Sequence, residues 1–347
     1  MAQGVTIKQI AAELGLHFTT VSCALRGDGT ISQATRQRVL ETAKKMDYRP
    51  NRLAQATRSG KSQTVGLVLG GDTQKSALQL RRIEQYAWDS GYHVLVGHGI
   101  GNIQSASSES ILERELQQVE RFAGYRVDGL IIQSALTYAK EEHRYIFWRD
   151  VEGVANSGIP IVVYDCLCEF DLPQVVIDRR FLGNHAGDFL RGLGFSNALY
   201  AGNTQTFHSK RIFGGLSSVD GLNVTACELD VTDSVSVREG YRAGEHWANL
   251  QERPEVIIAA NGLIAHGLLL RLMSLGFDVP GDVSLLAVGE GEILRWPPKP
   301  IDSISSSFND LAETTWNLLS QQWTNTLTDR KVALDFHISE GETIRKS

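Results

Sequence analysis

The sequence predicts a multidomain chain: a small all-α head, then a larger α/β body of two lobes built on parallel sheets. Two observations lead to this fold class. Up to Tyr48, apolar residues recur at the spacing of short amphipathic helices, and from Thr64 short apolar runs alternate with helix-length segments. With 347 residues, of which 42% are hydrophobic, the chain is long enough for two or three domains.

The first helix is predicted to begin after Thr6. Thr6 and Gln9 have the spacing of a capping box, in which each side chain accepts a hydrogen bond from a backbone N–H group of the other residue. One apolar helix face then follows at i, i+3, i+4 and i+7: Ile7, Ile10, Ala11 and Leu14.

Two further helices are predicted in the head. A turn at Gly15 separates the first helix from the second, and Ser32 is placed to cap the third. The apolar stripes are Phe18, Val21, Ala24 and Leu25 in the second helix and Val39, Leu40, Ala43 and Met46 in the third. Three short helices, the first two joined by a tight turn, are typical of a helix-turn-helix.

Charge distinguishes the head from the body. Up to Lys61 the chain has ten basic and four acidic residues, whereas the remainder has 24 basic and 36 acidic residues. A basic head on an acidic body favours nucleic acid as the partner of the head. The polar face of the second helix offers short hydrogen-bonding groups for phosphates and base edges: Thr19, Thr20, Ser22, Cys23 and Arg26.

The head also has a specific pattern of residues: Val5-Thr6, Ile10-Ala11, Gly15, Thr20-Val21-Ser22, Ile31-Ser32, Thr35-Arg36, Val39, Tyr48, Pro50-Asn51 and Ala54. In this pattern it resembles the DNA-binding head of the lactose/galactose-repressor family of bacterial transcription regulators. The resemblance implies base contacts by Phe18, Thr19 and Cys23. It implies further DNA contacts, mostly to phosphates, by Thr6, His17, Ser22, Arg26, Thr35, Tyr48 and Asn51.

Two of these positions depart from the family pattern. His17 replaces the usual Ser at the start of the recognition helix, and Cys23 replaces a residue that is often Arg. Since an Arg can bind guanine through two hydrogen bonds and a Cys cannot, we expect a different operator preference.

The segment "YRPNRLAQATRSGKS" is predicted to contain a hinge helix. It is too short to be stable alone, and the resemblance implies that it forms over DNA and enters the minor groove. Leu53 and Ala54 match the family, whereas Thr57 stands where a Leu usually wedges between base pairs. We therefore predict a helix-turn-helix domain over 1–49, a hinge helix and linker over 50–62, and an effector-binding and dimerisation domain over 63–347.

The body is predicted from its alternating strands and helices. Strands are predicted in eight apolar runs: "TVGLVLGG", "YHVLVGHG", "DGLIIQSA", "IPIVVYDC", "QVVIDR", "NALYAGN", "EVIIAANG" and "DVSLLAVGE". The last two are rich in Val, Ile, Leu and Ala, which is typical of strands buried on both faces. About 280 residues are many for one such sheet, so two lobes with a cleft are expected, with ligands at the carboxyl ends of the strands. The body resembles the family's two-lobed, periplasmic-binding-protein-like effector domain through "GIPIVVYDC", "VDGLII", "VIIAANGLIAHGLLLRLMSLGFDVPGDVSLLAV" and "WPPKPIDSIS".

The resemblance also implies an effector site in the cleft. The positions that correspond to it are Asp165, Arg211, Asn261, Glu290, Ser306 and Phe308, and we add Trp296 as a candidate stacking wall. Each has an alternative structural role, such as a strand-end cap for Asp165 or an interlobe salt bridge for Arg211. Gly262 and Gly289 stand where the family has carboxylates, and "GGDTQKSAL" lacks the family's aromatic residues, which counts against an ordinary sugar as the effector.

Other classes of protein are less consistent with the sequence. A solute-binding protein shares the body architecture but needs a signal peptide, and it has no basic helical head. "GHGIGN" does not have the Gly-x-Gly-x-x-Gly spacing of a nicotinamide-dependent oxidoreductase. The four cysteines and nine histidines form no zinc or catalytic pattern.

The sequence as a whole predicts a cytoplasmic DNA-binding regulator, a repressor rather than an enzyme. We expect it to bind a near-palindromic operator as a homodimer and to respond to a small molecule, a sugar or sugar derivative. No cofactor, metal or membrane is expected.

Overall fold

The computed structural model describes residues 5–27, 30–48, 60–70, 74–99, 108–134, 141–166, 168–230, 236–289 and 291–346. The chain divides into two compact units, Met1–Ser62 and Gln63–Ser347. The first unit contains only helices among its described residues, and the second is an α/β structure. This confirms the predicted fold class.

The head consists of three helices, α1 (Ile7–Leu14), α2 (Phe18–Arg26) and α3 (Gln33–Lys45). The predicted capping box is confirmed: the Gln9 backbone N–H donates to Thr6, and the Thr6 N–H donates to the Gln9 side chain. Gly15 ends α1 at φ +65°, a left-handed conformation that glycine adopts without strain. The short turn from α1 to α2 depends on that conformation.

The core of the head is made by one face of each helix. Its fully buried members are Ile10, Ala11, Val21, Ala24, Val39 and Ala43. Two residues of the predicted stripes do not belong to it, because Phe18 is 43% exposed and Leu40 is 41% exposed. The apolar stripes of α2 and α3 are therefore wider than the faces that the core buries. The spacing of apolar residues places them on one side of a helix, but it does not give the width of the face that a small core buries.

The body contains two parallel-rich sheets of six strands each. The first has the order β11-β5-β4-β3-β1-β2, and all its neighbouring strands are parallel. Its strands are β1 (Thr64–Leu69), β2 (His93–His98), β3 (Gly129–Gln133), β4 (Ile161–Tyr164), β5 (Gln174–Val176) and β11 (Lys331–Ala333).

The second sheet has the order β12-β10-β9-β8-β6-β7, in which only β12 runs antiparallel to its neighbour. Its strands are β6 (Asn197–Gly202), β7 (Asn223–Glu228), β8 (Val256–Ala259), β9 (Ser284–Val288), β10 (Asp302–Ser305) and β12 (His337–Ser339). A 3₁₀ turn, Glu292–Leu294, lies between β9 and β10.

Helices cover both faces of the sheets, as parallel sheets require. They are α4 (Gln74–Asp89), α5 (Ser108–Gly124), α6 (Glu141–Asn156), α7 (Arg179–Gly192), α8 (Phe207–Leu216), α9 (Val237–Ala248), α10 (Gly262–Ser274) and α11 (Phe308–Thr324). None of the helices described here is long and apolar enough to cross a membrane.

The chain passes between the lobes three times, each time beyond the carboxyl end of a strand of the parallel sheets. It leaves the first sheet after β5, returns after β10 into α11, and leaves again after β11. Residues of α11 pack against β1, β3 and β4 of the first sheet. The carboxyl edges of the strands, where ligands bind in such folds, are therefore also where the lobes connect.

Candidate DNA-binding and effector sites

The N-terminal end of α2 presents side chains to solvent. His17 is the N-cap residue, and Phe18 and Thr19 are exposed at the start of the helix. The rings of His17 and Phe18 lie against each other, with centroids 4.6 Å apart. These residues form the end that a helix-turn-helix directs into the major groove.

Local hydrogen bonds order the polar face of α2. His17 Nδ1 lies 2.8 Å from Thr19 Oγ1. One turn further on, Arg26 donates to Ser22 Oγ at 2.8 Å and to Cys23 Sγ at 3.3 Å. Because each bond spans four residues or fewer, the predicted contact residues of α2 are held in place by the helix itself.

The other predicted DNA-contacting residues of the head have structural roles as well. Thr6 caps α1, and the Thr35 backbone N–H donates to Ser32 at the start of α3. Tyr48 is half-buried and packs against the head core. Asn51, Leu53, Ala54 and Thr57, with the predicted hinge helix, lie outside the described residues, as does Glu290 of the predicted effector site.

Asp165 follows β4 directly and is buried. Its φ is +53°, and its Oδ1 accepts a hydrogen bond from Arg179 Nη2 at 2.5 Å. Asp165 was predicted at the end of a strand, whereas its partner Arg179 was not identified from the sequence. A signal existed, since Arg179 comes two residues after the apolar run "QVVI" and so also lies at that edge. The predicted acid of the site is therefore paired with an arginine.

Arg211 lies on α8 in the second lobe, where its guanidinium sits over the Phe207 ring at 5.5 Å. Arg144, at the start of α6 in the first lobe, lies over the same ring at 5.9 Å. Arg211 Nη2 is also 3.9 Å from Asp178 Oδ1, the N-cap carboxylate of α7. Arg144 thus contacts Phe207 across the lobes, and Arg211 lies on the same ring from within the second lobe. Neither Arg144 nor Phe207 was identified from the sequence.

The remaining predicted effector residues differ in their surroundings. Asn261 caps α10, with its Oδ1 accepting from the Ile264 N–H at 3.0 Å. Ser306 is buried on the crossover after β10, and Phe308 is the half-buried first residue of α11. Trp296 is 80% exposed, so its indole ring lies on the surface.

Among the described residues, several buried polar atoms on and beside the first sheet have no hydrogen-bond partner. Gln79 on α4 is fully buried, and neither atom of its amide is hydrogen-bonded. Gln133 Oε1 and Tyr164 Oη, at the ends of the adjacent strands β3 and β4, are also unpaired. Burial raises the pKa of Tyr164 well above its usual value, so its hydroxyl stays protonated. These residues were not identified from the sequence.

Metal-binding chemistry is not evident at either site. Within the described ranges, no group of three or more His, Cys, Asp or Glu side chains is arranged to hold a metal ion. The groups present suit hydrogen bonding and ion pairing instead.

Comparison with known families matches both parts of the chain. Residues 6–51 match the bacterial regulatory proteins of the lacI family. Residues 188–344 match the periplasmic binding protein-like domain. The first range contains all three head helices, and the second contains most of the second lobe and both late crossovers.

Curated relatives match over nearly the whole chain. The catabolite control protein A of Priestia megaterium is 24% identical over 339 residues, covering 94% of this chain and 95% of its own length. The HTH-type transcriptional repressor PurR of Escherichia coli O139:H28 (strain E24377A / ETEC) is also 24% identical, covering 92% of this chain and 91% of its own length.

Solved structures show the same fold. The lac repressor dimer bound to operator and the anti-inducer ONPF superposes with a TM-score of 0.80 at 19% identity, over 98% of this chain and 99% of that one. The complex of the transcriptional regulator CelR with cellobiose gives 0.62 at 20% identity, with the same coverage. Together with the two family matches, these results show that the chain has a lacI-family helix-turn-helix domain followed by a periplasmic-binding-protein-like domain.

Proposed function

We propose that this protein is a transcriptional repressor that binds a near-palindromic operator as a homodimer and is modulated by a small molecule held between its lobes. The observation that carries the proposal is the head. The lacI-family match over residues 6–51 coincides with a three-helix unit whose second helix exposes Phe18 and Thr19 at its N-terminal end.

DNA binding is supported by charge and by position. The chain up to Lys61 has an excess of six basic residues on a protein whose net charge is −6. We propose that Phe18, Thr19 and Cys23 read bases, while the hydroxyls and cations around them bind phosphates. In a dimer, two such heads would contact two half-sites related by the protein's two-fold axis.

Effector binding is supported by the carboxyl edges of the two sheets. Asp165, Asn261, Ser306 and Phe308 lie at or next to strand ends and crossovers there, and Arg211 lies on α8, the helix that follows β6. The CelR structure contains cellobiose, and a second lac repressor structure contains ONPG. We propose a sugar or sugar derivative as the effector of this chain. Because Asp165 is bonded to Arg179, an effector that binds Asp165 has to displace or share that contact.

The remaining features of the proposal follow from the relatives. Catabolite control protein A and PurR are named as regulators, so we propose that this chain acts on DNA in the cytoplasm and catalyses no reaction. We also propose the boundaries 1–49, 50–62 and 63–347 for head, hinge and effector domain.

A salt titration tests the DNA-binding proposal. An operator is selected from genomic DNA, and its affinity for the full-length protein is measured by fluorescence anisotropy between about 50 and 300 mM KCl. We expect the logarithm of the affinity to fall linearly with the logarithm of salt, with a slope of roughly −0.9 per phosphate neutralised. A duplex with scrambled half-sites is the control. A flat salt response, or equal affinity for both duplexes, would contradict the proposal.

A further inference from the structure

The start of α2 contains a pair of side chains that are arranged to act together. His17 is exposed, its ring is held against the Phe18 ring, and its Nδ1 is 2.8 Å from the Thr19 hydroxyl oxygen. The imidazole makes no side-chain bond that caps the helix. Its near nitrogen is engaged with Thr19 instead, which leaves Nε2 on the opposite side of the ring.

The hydrogen-bond roles of this pair depend on each other. A threonine hydroxyl has one proton to donate, whereas each imidazole nitrogen either carries a proton or presents a lone pair. If Nδ1 presents its lone pair, the hydroxyl proton of Thr19 points to His17 and Oγ1 offers only acceptor sites to other partners. If Nδ1 carries a proton, it donates to Oγ1 and the hydroxyl proton of Thr19 is free to point elsewhere.

We propose that His17 determines which bases Thr19 selects, by fixing whether the Thr19 hydroxyl accepts or donates at the DNA base edge. This inference rests on the proposed function, in which Thr19 reads a base. His17 acts as a positioning residue, because its effect on the base passes through Thr19.

DNA itself favours one arrangement at neutral pH. Nε2 of the exposed His17 lies at the N-terminal end of a helix, where phosphate groups are attracted. A phosphate oxygen can only accept, so it selects the tautomer with the proton on Nε2 and the lone pair on Nδ1. Thr19 then donates to His17 and presents acceptor sites, which pair with the amino group of cytosine or adenine.

Protonation of His17 reverses this preference. A protonated imidazole donates from both nitrogens, so Nδ1 donates to Thr19 Oγ1 and the hydroxyl proton turns to the base. The preferred partners become acceptors, such as guanine O6 and N7 or thymine O4. Cytosine and guanine form the diagnostic pair, since in the major groove the cytosine amino group only donates and the guanine atoms only accept.

Other charged groups of the head bear on His17 protonation. On α2 itself these are Arg26, bonded to Ser22 and Cys23, and the Cys23 thiol. The helices packed against α2 contribute Lys8 and Glu13 from α1 and Arg36, Arg38, Glu41, Lys44 and Lys45 from α3. In the described part of the head, none of them forms an ion pair with His17. Histidine side chains change charge between about pH 5 and 8, so that range is the one to compare.

The experiment first locates the base that Thr19 reads. Operators are selected from a random library at pH 8.0 with the full-length protein and with Thr19→Val, which keeps the shape of the side chain and removes its hydroxyl. The base pair whose preference disappears in Thr19→Val is the Thr19 position. Operators carrying cytosine or guanine there are then titrated at pH 8.0 and pH 5.5, at constant ionic strength.

In the native protein we expect the cytosine operator to bind about 3- to 10-fold more tightly at pH 8.0, and the ratio to shift towards guanine by a similar factor at pH 5.5. Protonation of His17 adds a positive charge that strengthens binding to both operators, and the ratio of the two affinities cancels that common gain. His17→Ser, which cannot titrate in this range, should show the same ratio at both values of pH, and Thr19→Ser should restore the native behaviour lost in Thr19→Val.

Three results would overturn the inference. They are a native ratio that does not change with pH, a change of equal size in His17→Ser, and a Thr19→Val variant that selects the same operators as the native protein. If the native protein enriches no operator at all, the proposed function fails instead. The two failures are therefore distinguishable.

Discussion

The head and the body hold their predicted contact residues in opposite ways. In the head, His17, Thr19, Ser22 and Arg26 are on the surface and are hydrogen-bonded to neighbours within one helical turn. In the body, Asp165 is buried and bonded to an arginine on another element. The head can therefore meet a partner with its side chains already in place, whereas a ligand of the body must compete with contacts that the lobes make themselves.

The largest expected effect is the loss of the buried pair in the body. Arg179→Met leaves the Asp165 carboxylate buried without its cation, and removal of one partner of such a pair typically costs about 3–5 kcal/mol of unfolding free energy. Urea denaturation followed by tryptophan fluorescence measures it.

The control is Arg149→Met, which removes an exposed pair with Asp150. Such pairs contribute about 0–1 kcal/mol, so this variant should unfold almost as the native protein does. Equal losses in the two variants would show that the buried pair is no more important than the exposed one.

The reactivity of the cysteines also distinguishes the exposed head from the buried parts of the body. Burial raises the pKa of Cys227 to about 11 and that of Cys168 to about 12, and that of Cys166 well above its usual range. The thiolate is the reactive form, so at pH 8 only about one Cys227 in a thousand is reactive. In the folded protein we expect Ellman's reagent to modify Cys23 of α2 quickly and the three body thiols at least about a hundredfold more slowly.

Substitution of the head thiol provides the control for that measurement. Cys23→Ser should abolish the fast phase, and addition of urea should then expose three slow thiols together. A fast phase that persists in Cys23→Ser would place a reactive thiolate in the body. It would contradict the burial that raises the pKa values there.

Structural features that depend on residues close together in the sequence could be predicted, whereas contacts between distant residues could not. The three head helices and the caps at Thr6 and Ser32 depend on residues three or four apart, and all of them are confirmed. The eight strands with strong apolar runs were also predicted. Four strands were missed. β10 is polar, β11 and β12 are only three residues long, and β7 has only a weakly apolar run.

The candidate effector site was predictable only in part. The positions of Asp165 and Asn261 follow from the ends of strands, which the apolar runs mark. The Arg179 partner of Asp165 and the stacking of Arg144 on Phe207 depend on how separate elements pack, and no spacing in the sequence encodes them. The unpaired amide of Gln79 could not be foreseen, since a Gln in a helix is ordinarily exposed.

A smaller effect is expected from Arg211→Ala. The guanidinium of Arg211 links Phe207 and Asp178 near the connections between the lobes, and we propose that it also contacts the effector. Coupling between effector and DNA is typically about 1–3 kcal/mol, so the 5- to 150-fold change in operator affinity caused by a sugar found in a thermal-shift screen should disappear. Affinity for the operator without effector should stay the same.

Lys210→Ala is the matched control for Arg211→Ala, because Lys210 is an exposed cation on the same helix. It should keep the full effector response. If Arg211→Ala keeps the response as well, Arg211 is only a structural link within the second lobe.

The smallest effect is expected in the head. Thr6→Ala removes the hydroxyl half of the capping box of α1, and loss of such a cap typically destabilises a helix by about 1 kcal/mol. In hydrogen–deuterium exchange of the full-length protein, the amides of α1 should exchange about fivefold faster, while those of the body should not change. Ser32→Ala, which removes the cap of α3, should instead accelerate exchange in α3. If both variants accelerate all three helices equally, the head unfolds as one unit, and its order depends on the shared core around Ile10 and Val39 more than on local bonds.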